Sequence, residues 1–165
     1  MIIKTLILSL PLIALSYSVS AVELKSPAPA FSLPAINKTT EKITLSDYKG
    51  KVIYLDFWAS WCAPCRVSFP ILDRLYQNHH QEGFEVIAIN LDEEPEAARQ
   101  FLKDNPIHFT VLRDSLGEVP ERYQVDAMPT SFLIDKKGTI RHIHSGFSAT
   151  DEADLKQRIE GLLAE

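Results

Sequence analysis

The chain has 165 residues, a net charge of −5 and only two cysteines. An apolar fraction of 45% supports one ordinary domain with a core, and the mild acidity argues against nucleic acid as a partner. Two cysteines cannot make a disulfide-rich scaffold, nor half of a four-cysteine zinc site and its complement.

Residues 1–21 read as a targeting segment. Lys4 supplies the positive start, Leu6 to Leu15 the apolar stretch, and Val19-Ser20-Ala21 a small-residue cleavage site, with cleavage expected after Ala21. The stretch is interrupted by Ser9 and Pro11 and is short for a spanning helix, so the alternative is an uncleaved anchor over Ile2 to Val19. Either way residues 22–165 form the domain, and export places the cysteines where disulfides persist. A dithiol that works reduced there needs electrons from outside.

After a Pro/Ala-rich lead-in, Phe31-Ser32-Leu33 and Ile43-Thr44-Leu45 predict two short strands around a polar turn from Asn37 to Lys42, a small N-terminal hairpin. Val52 to Phe57 is a β-favouring run covered on both faces. From Ala63 a helical apolar stripe runs through Val67, Phe69, Ile71, Leu72, Leu75 and Tyr76, with Pro64 in the first turn, Pro70 as a kink and Gly83 closing it. Phe84 to Asn90 is the next buried strand and Glu94 to Asp104 the next helix, and Asp92-Glu93-Glu94 reads as its solvated acidic start. An extended piece follows at Phe109 to Leu112, then a turn of helix near Val119 to Tyr123. Ser131 to Ile134 and Thr139 to His144 flank Asp135-Lys136-Lys137-Gly138 as a hairpin, and Asp151 to Leu163 is an amphipathic last helix. The succession predicts an α/β fold whose central sheet mixes parallel and antiparallel strands.

Both cysteines lie in Trp61-Cys62-Ala63-Pro64-Cys65. As a staple so short a loop would contribute roughly 2 kcal/mol, against about 3 for a 15-residue loop, so reactivity explains the pair better than stability. A strand ending before the motif and a helix starting at or just after Cys62 put that sulfur where unpaired N–H groups and the helix dipole favour a thiolate. Cys62 is then the nucleophile, and Cys65, one turn inward, the buried resolving thiol. A metal reading would draw on His79, His80, His108, His142 and His144; only His142 and His144 share a strand face, and solvated histidines are the plainer account.

The segment Asp56-Phe57-Trp58-Ala59-Ser60-Trp61-Cys62-Ala63-Pro64-Cys65 resembles the active-site stretch of thioredoxin. With Pro29-Ala30-Phe31-Ser32-Leu33, Leu45-Ser46-Asp47-Tyr48-Lys49-Gly50-Lys51, the helical insert Asp92 to Pro106, and Met128-Pro129-Thr130-Ser131-Phe132-Leu133-Ile134-Asp135, the mature chain resembles the exported TlpA/ResA branch of that superfamily. The resemblance implies a thioredoxin-like fold, with a central mixed sheet flanked by helices, an N-terminal β-hairpin and a helical insert. It implies a periplasmic thiol-disulfide oxidoreductase with no cofactor beyond the redox-active Cys62–Cys65 pair. Asp56 would be the buried acid serving Cys65, with a raised pKa. Pro129 would form a cis peptide that leaves the backbone near Met128 free for an extended client, beside Trp61 and Pro64. The implied partners are client proteins with disulfides and a membrane thiol-electron donor of the DsbD/CcdA kind.

Two positions depart from the branch's usual pattern. Asp56 stands where asparagine is frequent, which makes the chain more like general thioredoxin, and Ser68 where members acting in cytochrome c maturation often carry an acid, which weakens the case for an apocytochrome over the other clients of the branch, a copper-site assembly protein or a range of misoxidised proteins. Two other functions within this fold are a disulfide donor using the same dithiol and a copper-binding assembly protein of the Sco kind. The latter uses cysteines three residues apart and a distant histidine. A peroxide-reducing centre would need Pro-x-x-x-Thr-x-x-Cys, and Leu55 and Ala59 occupy those positions instead.

Overall fold

The computed structural model describes residues 22–165, so the targeting segment lies outside the described residues. Seven strands are formed: β1 (Ser32–Ala35), β2 (Lys38–Thr44), β3 (Val52–Trp58), β4 (Phe84–Asn90), β5 (Thr110–Arg113), β6 (Thr130–Ile134) and β7 (Ile140–Ser145). Four helices join them: α1 (Ala63–His79), α2 (Pro95–Asp104), α3 (Glu118–Arg122) and α4 (Glu152–Leu163). The strands make one sheet in the order β2-β1-β5-β4-β3-β6-β7. β3, β4 and β5 run parallel, and β6 lies antiparallel to β3, which is the mixed sheet expected.

β3 and β4 are buried along their whole length, which is why both read as nearly continuous apolar runs rather than alternating ones. Their alternate residues feed two cores. Val52, Tyr54 and Trp58 face one shared with α1, α2, α4 and both cysteines. Ile53, Leu55 and Phe57 face the other, closed by Phe31, Val119 and Tyr123. On the first face Phe69 of α1 packs 4.5 Å from Trp58 and 5.4 Å from Phe101 of α2, ring centre to ring centre. Burial of this aromatic cluster fixes the helix that carries the dithiol.

The N-terminal hairpin differs from the expectation in its turn. Its two strands meet through Ile36 and Asn37 alone, and Lys38 to Lys42 belong to β2. Ile36 is drawn into the core, its N–H donating to the Val111 carbonyl at 3.0 Å. β2 is an outer strand, where charged residues are tolerated and no apolar pattern is required. Leu45, expected to end a strand, instead opens a 3₁₀ turn over Leu45–Tyr48, with the Asp47 carboxylate accepting from the Thr44 N–H at 2.7 Å. The hairpin at Asp135 to Gly138 is as expected: the Asp135 carboxylate accepts from the N–H groups of Lys137 and Thr139, both at 2.9 Å, and Gly138 has φ +82°.

Candidate active site

β3 ends at Trp58 and α1 begins at Ala63, so the cysteine motif occupies the bend between a buried strand and a helix. Cys62 is the N-cap of α1 and Pro64 sits in its first turn, where the missing N–H is no loss. Cys62 and Cys65 are joined as a disulfide, with the Cys65 N–H also pointing at the Cys62 sulfur at 3.3 Å. No acidic residue lies in the first turn of α1, so nothing there opposes the helix field that favours a thiolate. Cys65 is wholly buried and Cys62 is 4% exposed, the order expected of a resolving and an attacking sulfur. Trp61, 70% exposed, stands out beside them, and Pro64 is half-buried.

The Met128–Pro129 peptide is cis. Pro129 is buried and precedes Thr130, which pairs with Phe57 near the end of β3, so the cis bond sits at the sheet end that carries the dithiol. Met128 is half-buried against the core cluster containing both cysteines. Among the described residues its backbone N–H and C=O have no hydrogen-bond partner, whereas the Pro129 carbonyl is held by the Gly146 N–H at 2.8 Å. Trp61, Pro64, Met128 and Pro129 thus lie around the disulfide, and one backbone unit there remains open.

Asp56 is in the interior of β3 and 1% exposed. By strand alternation it shares the face of Tyr54, Trp58 and the cysteines. Neither carboxylate oxygen has a hydrogen-bond partner among the described residues, and burial raises its pKa well above the ordinary value. The neighbour across β4 is Ala88, which offers no charge, and across β6 it is Ser131. An unpaired buried carboxyl holds its proton to unusually high pH, which suits a group that must exchange a proton with a thiol.

Ser68, where an acid would sit in some relatives, is fully buried with its hydroxyl donating to the Cys65 carbonyl at 3.0 Å, a bond within the helix. The reading of Asp92 as part of a solvated helix start does not hold. Asp92 is 3% exposed; its carboxylate accepts from the Ser60 N–H at 2.9 Å, the Ser60 hydroxyl at 3.0 Å and the Asn90 side-chain amide at 2.7 Å. It ties the residue before Trp61 to the loop after β4. The Asn90/Asp92 spacing at a strand end is a local hint of this; its partner Ser60 lies 32 residues away and left no trace in the sequence.

Of the histidines, His79 is buried rather than solvated, beside Glu82. The rings of His142 and His144 lie 6.0 Å apart, as their shared strand face predicts. Among the described residues no group of three or more His, Cys, Asp or Glu is placed to hold a metal ion. The redox-active group present is the disulfide itself. No helix among the described residues is long and apolar enough to cross a membrane.

The family model described as Redoxin matches residues 23–159. Thiol-disulfide oxidoreductase ResA of Geobacillus thermodenitrificans is 34% identical over 170 residues, covering 98% of this chain and 95% of that protein. The protein of the same name from Bacillus subtilis is 34% identical, covering 87% and 84%. Among solved structures, a protein from Chlorobium tepidum assigned as thiol:disulfide interchange protein DsbE superposes with a TM-score of 0.82 at 43% identity, covering 87% of this chain and 99% of that one. With a buried dithiol bend of this form and relatives that match most of its length, the chain belongs to the Redoxin family, as a thioredoxin-fold thiol-disulfide oxidoreductase of the TlpA/ResA kind.

Proposed function

We propose that the protein is an exported, periplasmic reductant of client-protein disulfides. In the reduced enzyme the Cys62 thiolate attacks one sulfur of a client disulfide, forming a mixed disulfide and releasing the other client sulfur as a thiolate. Asp56, as carboxylate, takes the Cys65 proton, and the Cys65 sulfur attacks Cys62, releasing the reduced client and leaving the enzyme as the disulfide. Two electrons pass from enzyme to client in each cycle. A membrane thiol-electron donor of the DsbD/CcdA kind returns them.

The observation that carries this reading is the pairing of a helix-capping Cys62 with a fully buried Cys65 on the face of an unpaired, fully buried Asp56. The open backbone of Met128 beside the cis Pro129, with exposed Trp61 and half-buried Pro64, supports a docking edge for an extended client. Such an edge binds by adding a strand, with side chains setting preference. The order of cysteine burial matches the order of attack.

Insulin reduction with a dithiol as electron source tests the assignment. Cys62→Ala abolishes turnover. Cys65→Ala accumulates a mixed disulfide on Cys62 that a non-reducing gel resolves. Retained insulin reduction by Cys62→Ala would refute the mechanism.

A further inference from the structure

The bend that carries the dithiol is held from outside at one residue. The Cys62 N–H donates to the Ala59 carbonyl at 3.1 Å, closing a tight turn with Ser60 and Trp61 at its centre. Ser60 is gripped at both ends. Its N–H and hydroxyl donate to separate oxygens of the Asp92 carboxylate, at 2.9 and 3.0 Å, and its carbonyl accepts from Arg66 Nε of α1 at 3.2 Å. Asn90 fixes Asp92 in turn: its amide donates to the carboxylate at 2.7 Å, and its carbonyl oxygen accepts from the Asp92 N–H at 3.2 Å.

The two charges on this turn differ in effective strength. Asp92 is 3% exposed, and its hydrogen-bond partners Ser60 and Asn90 are neutral. Arg66 is exposed, with its guanidinium over the Phe101 ring at 5.6 Å, so water and salt screen it far more than they screen a buried carboxylate. Two residues of chain reach at most about 7 Å, and the carboxylate sits directly on Ser60, so its charge lies within roughly 10 Å of Cys62. It opposes the helix field there.

A negative charge in that place acts on one redox form alone. The disulfide is neutral. Its reduction takes two electrons and, where Cys62 is left as thiolate, one proton, which goes to Cys65. The thiolate is the species a neighbouring carboxylate repels, so the dithiol form is destabilised and the pair gives up its electrons more readily.

We propose that Asp92 is a positioning residue that holds the Ala59–Cys62 turn and, through its charge, biases the Cys62–Cys65 pair toward reducing its clients. The inference rests on Cys62 as the attacking sulfur. Asp92 acts through Ser60 and Cys62 rather than on a client. The other ionisable groups on the surrounding elements are Asp56 from β3, Arg66 from α1 and exposed Glu93 and Glu94 after β4. To these β5 adds Arg113, which donates to the Glu93 carbonyl at 3.1 Å, and the segment before Pro129 adds exposed Asp126. All are retained when Asp92 is substituted, so they cancel between variant and wild type.

The test is the equilibrium of the purified protein with glutathione, which supplies the electrons, followed by tryptophan fluorescence at about pH 8.5 and about pH 6. Wild type is compared with Asp92→Asn, with Asp92→Ser as a second neutral replacement, and with Ser60→Ala, which removes one hydrogen bond and keeps the charge. A unit charge about 10 Å from a thiolate, at an effective dielectric constant of about 20, alters its stability roughly tenfold. Both neutral variants should therefore move the equilibrium roughly fivefold to tenfold toward the dithiol at the higher pH, about 20 to 30 mV. At the lower pH, where the thiol keeps its proton, the shift should fall below about twofold. Ser60→Ala should leave the equilibrium unchanged at both. Neutral variants that match wild type at the higher pH would overturn the proposal. So would a shift of equal size at both pH values, or a Ser60→Ala shift as large as theirs, either of which makes Asp92 a strut of the fold alone. Alkylation of the reduced protein reads the underlying assignment separately. Cys65 reacting before Cys62 would refute the attacking sulfur, while the variant shifts still decide whether the Asp92 charge sets the redox balance.

Discussion

Replacing Asp56 by asparagine should stabilise the protein increasingly as pH rises. In the unfolded chain Asp56 titrates as an ordinary carboxyl near pH 3.9, whereas in the folded protein burial raises its pKa well above that value. Below about pH 4 both states hold the proton and the group affects stability little. As pH rises further, the unfolded chain releases its proton and the folded chain keeps it. Stability then falls by about 1.4 kcal/mol per pH unit until the folded pKa is reached, and the loss is constant above it. No hydrogen bond or opposite charge offsets this, since both oxygens are unpaired and burial is the cause of the shift. Asparagine removes the slope and adds a pH-independent penalty of about 1–3 kcal/mol for burying an unpaired amide. Urea unfolding of the oxidised wild type and Asp56→Asn, from pH 4 to pH 8, reads the difference directly, because the other carboxylates are common to both and cancel. Stability curves that stay parallel over this range would refute the account of Asp56 as a proton-holding buried acid.

Two further outcomes are expected. Asp92→Ala leaves the Ser60 N–H and the Asn90 amide without their acceptor and should cost about 3 kcal/mol in urea unfolding, given what hydrogen bonds to charged groups contribute; a loss below about 1 kcal/mol would mean that water replaces the carboxylate. The reduction potential of the Cys62–Cys65 pair, followed by tryptophan fluorescence in thiol buffers, should lie near that of thioredoxin, about −270 mV, or lower. A value toward about −120 mV would make the protein a disulfide donor and reverse the proposed direction.

Much of the fold can be read directly from the chain because its signals are local. The buried strands β3 and β4 stand out as nearly continuous apolar runs, each interrupted by an acid, Gly83 marks the turn after α1 with its φ of +100°, and Pro95 opens α2. The parts that were misplaced are those where tertiary contact overrides pattern. β2 is polar because it is an outer strand, and the hairpin turn is tight because Ile36 belongs to the core. Asp92 resembles a helix-start charge in sequence and becomes a buried acceptor only because Ser60 is folded against it.

By itself the sequence determined the chemistry: two cysteines two residues apart, placed between a strand and a helix, can do little in a chain of this kind except exchange disulfides. Secondary-structure order followed too, since hydrophobic periodicity and turn residues act over a few positions. Only the tertiary structure decided the surroundings of that chemistry. Whether Asp56 is solvated or sealed depends on the strands and helices that cover it, and the contact between Tyr54 and Ser131 joins residues 77 apart in the chain. Such pairings arise from strand register, which is set by the packing of the whole sheet rather than by any segment alone.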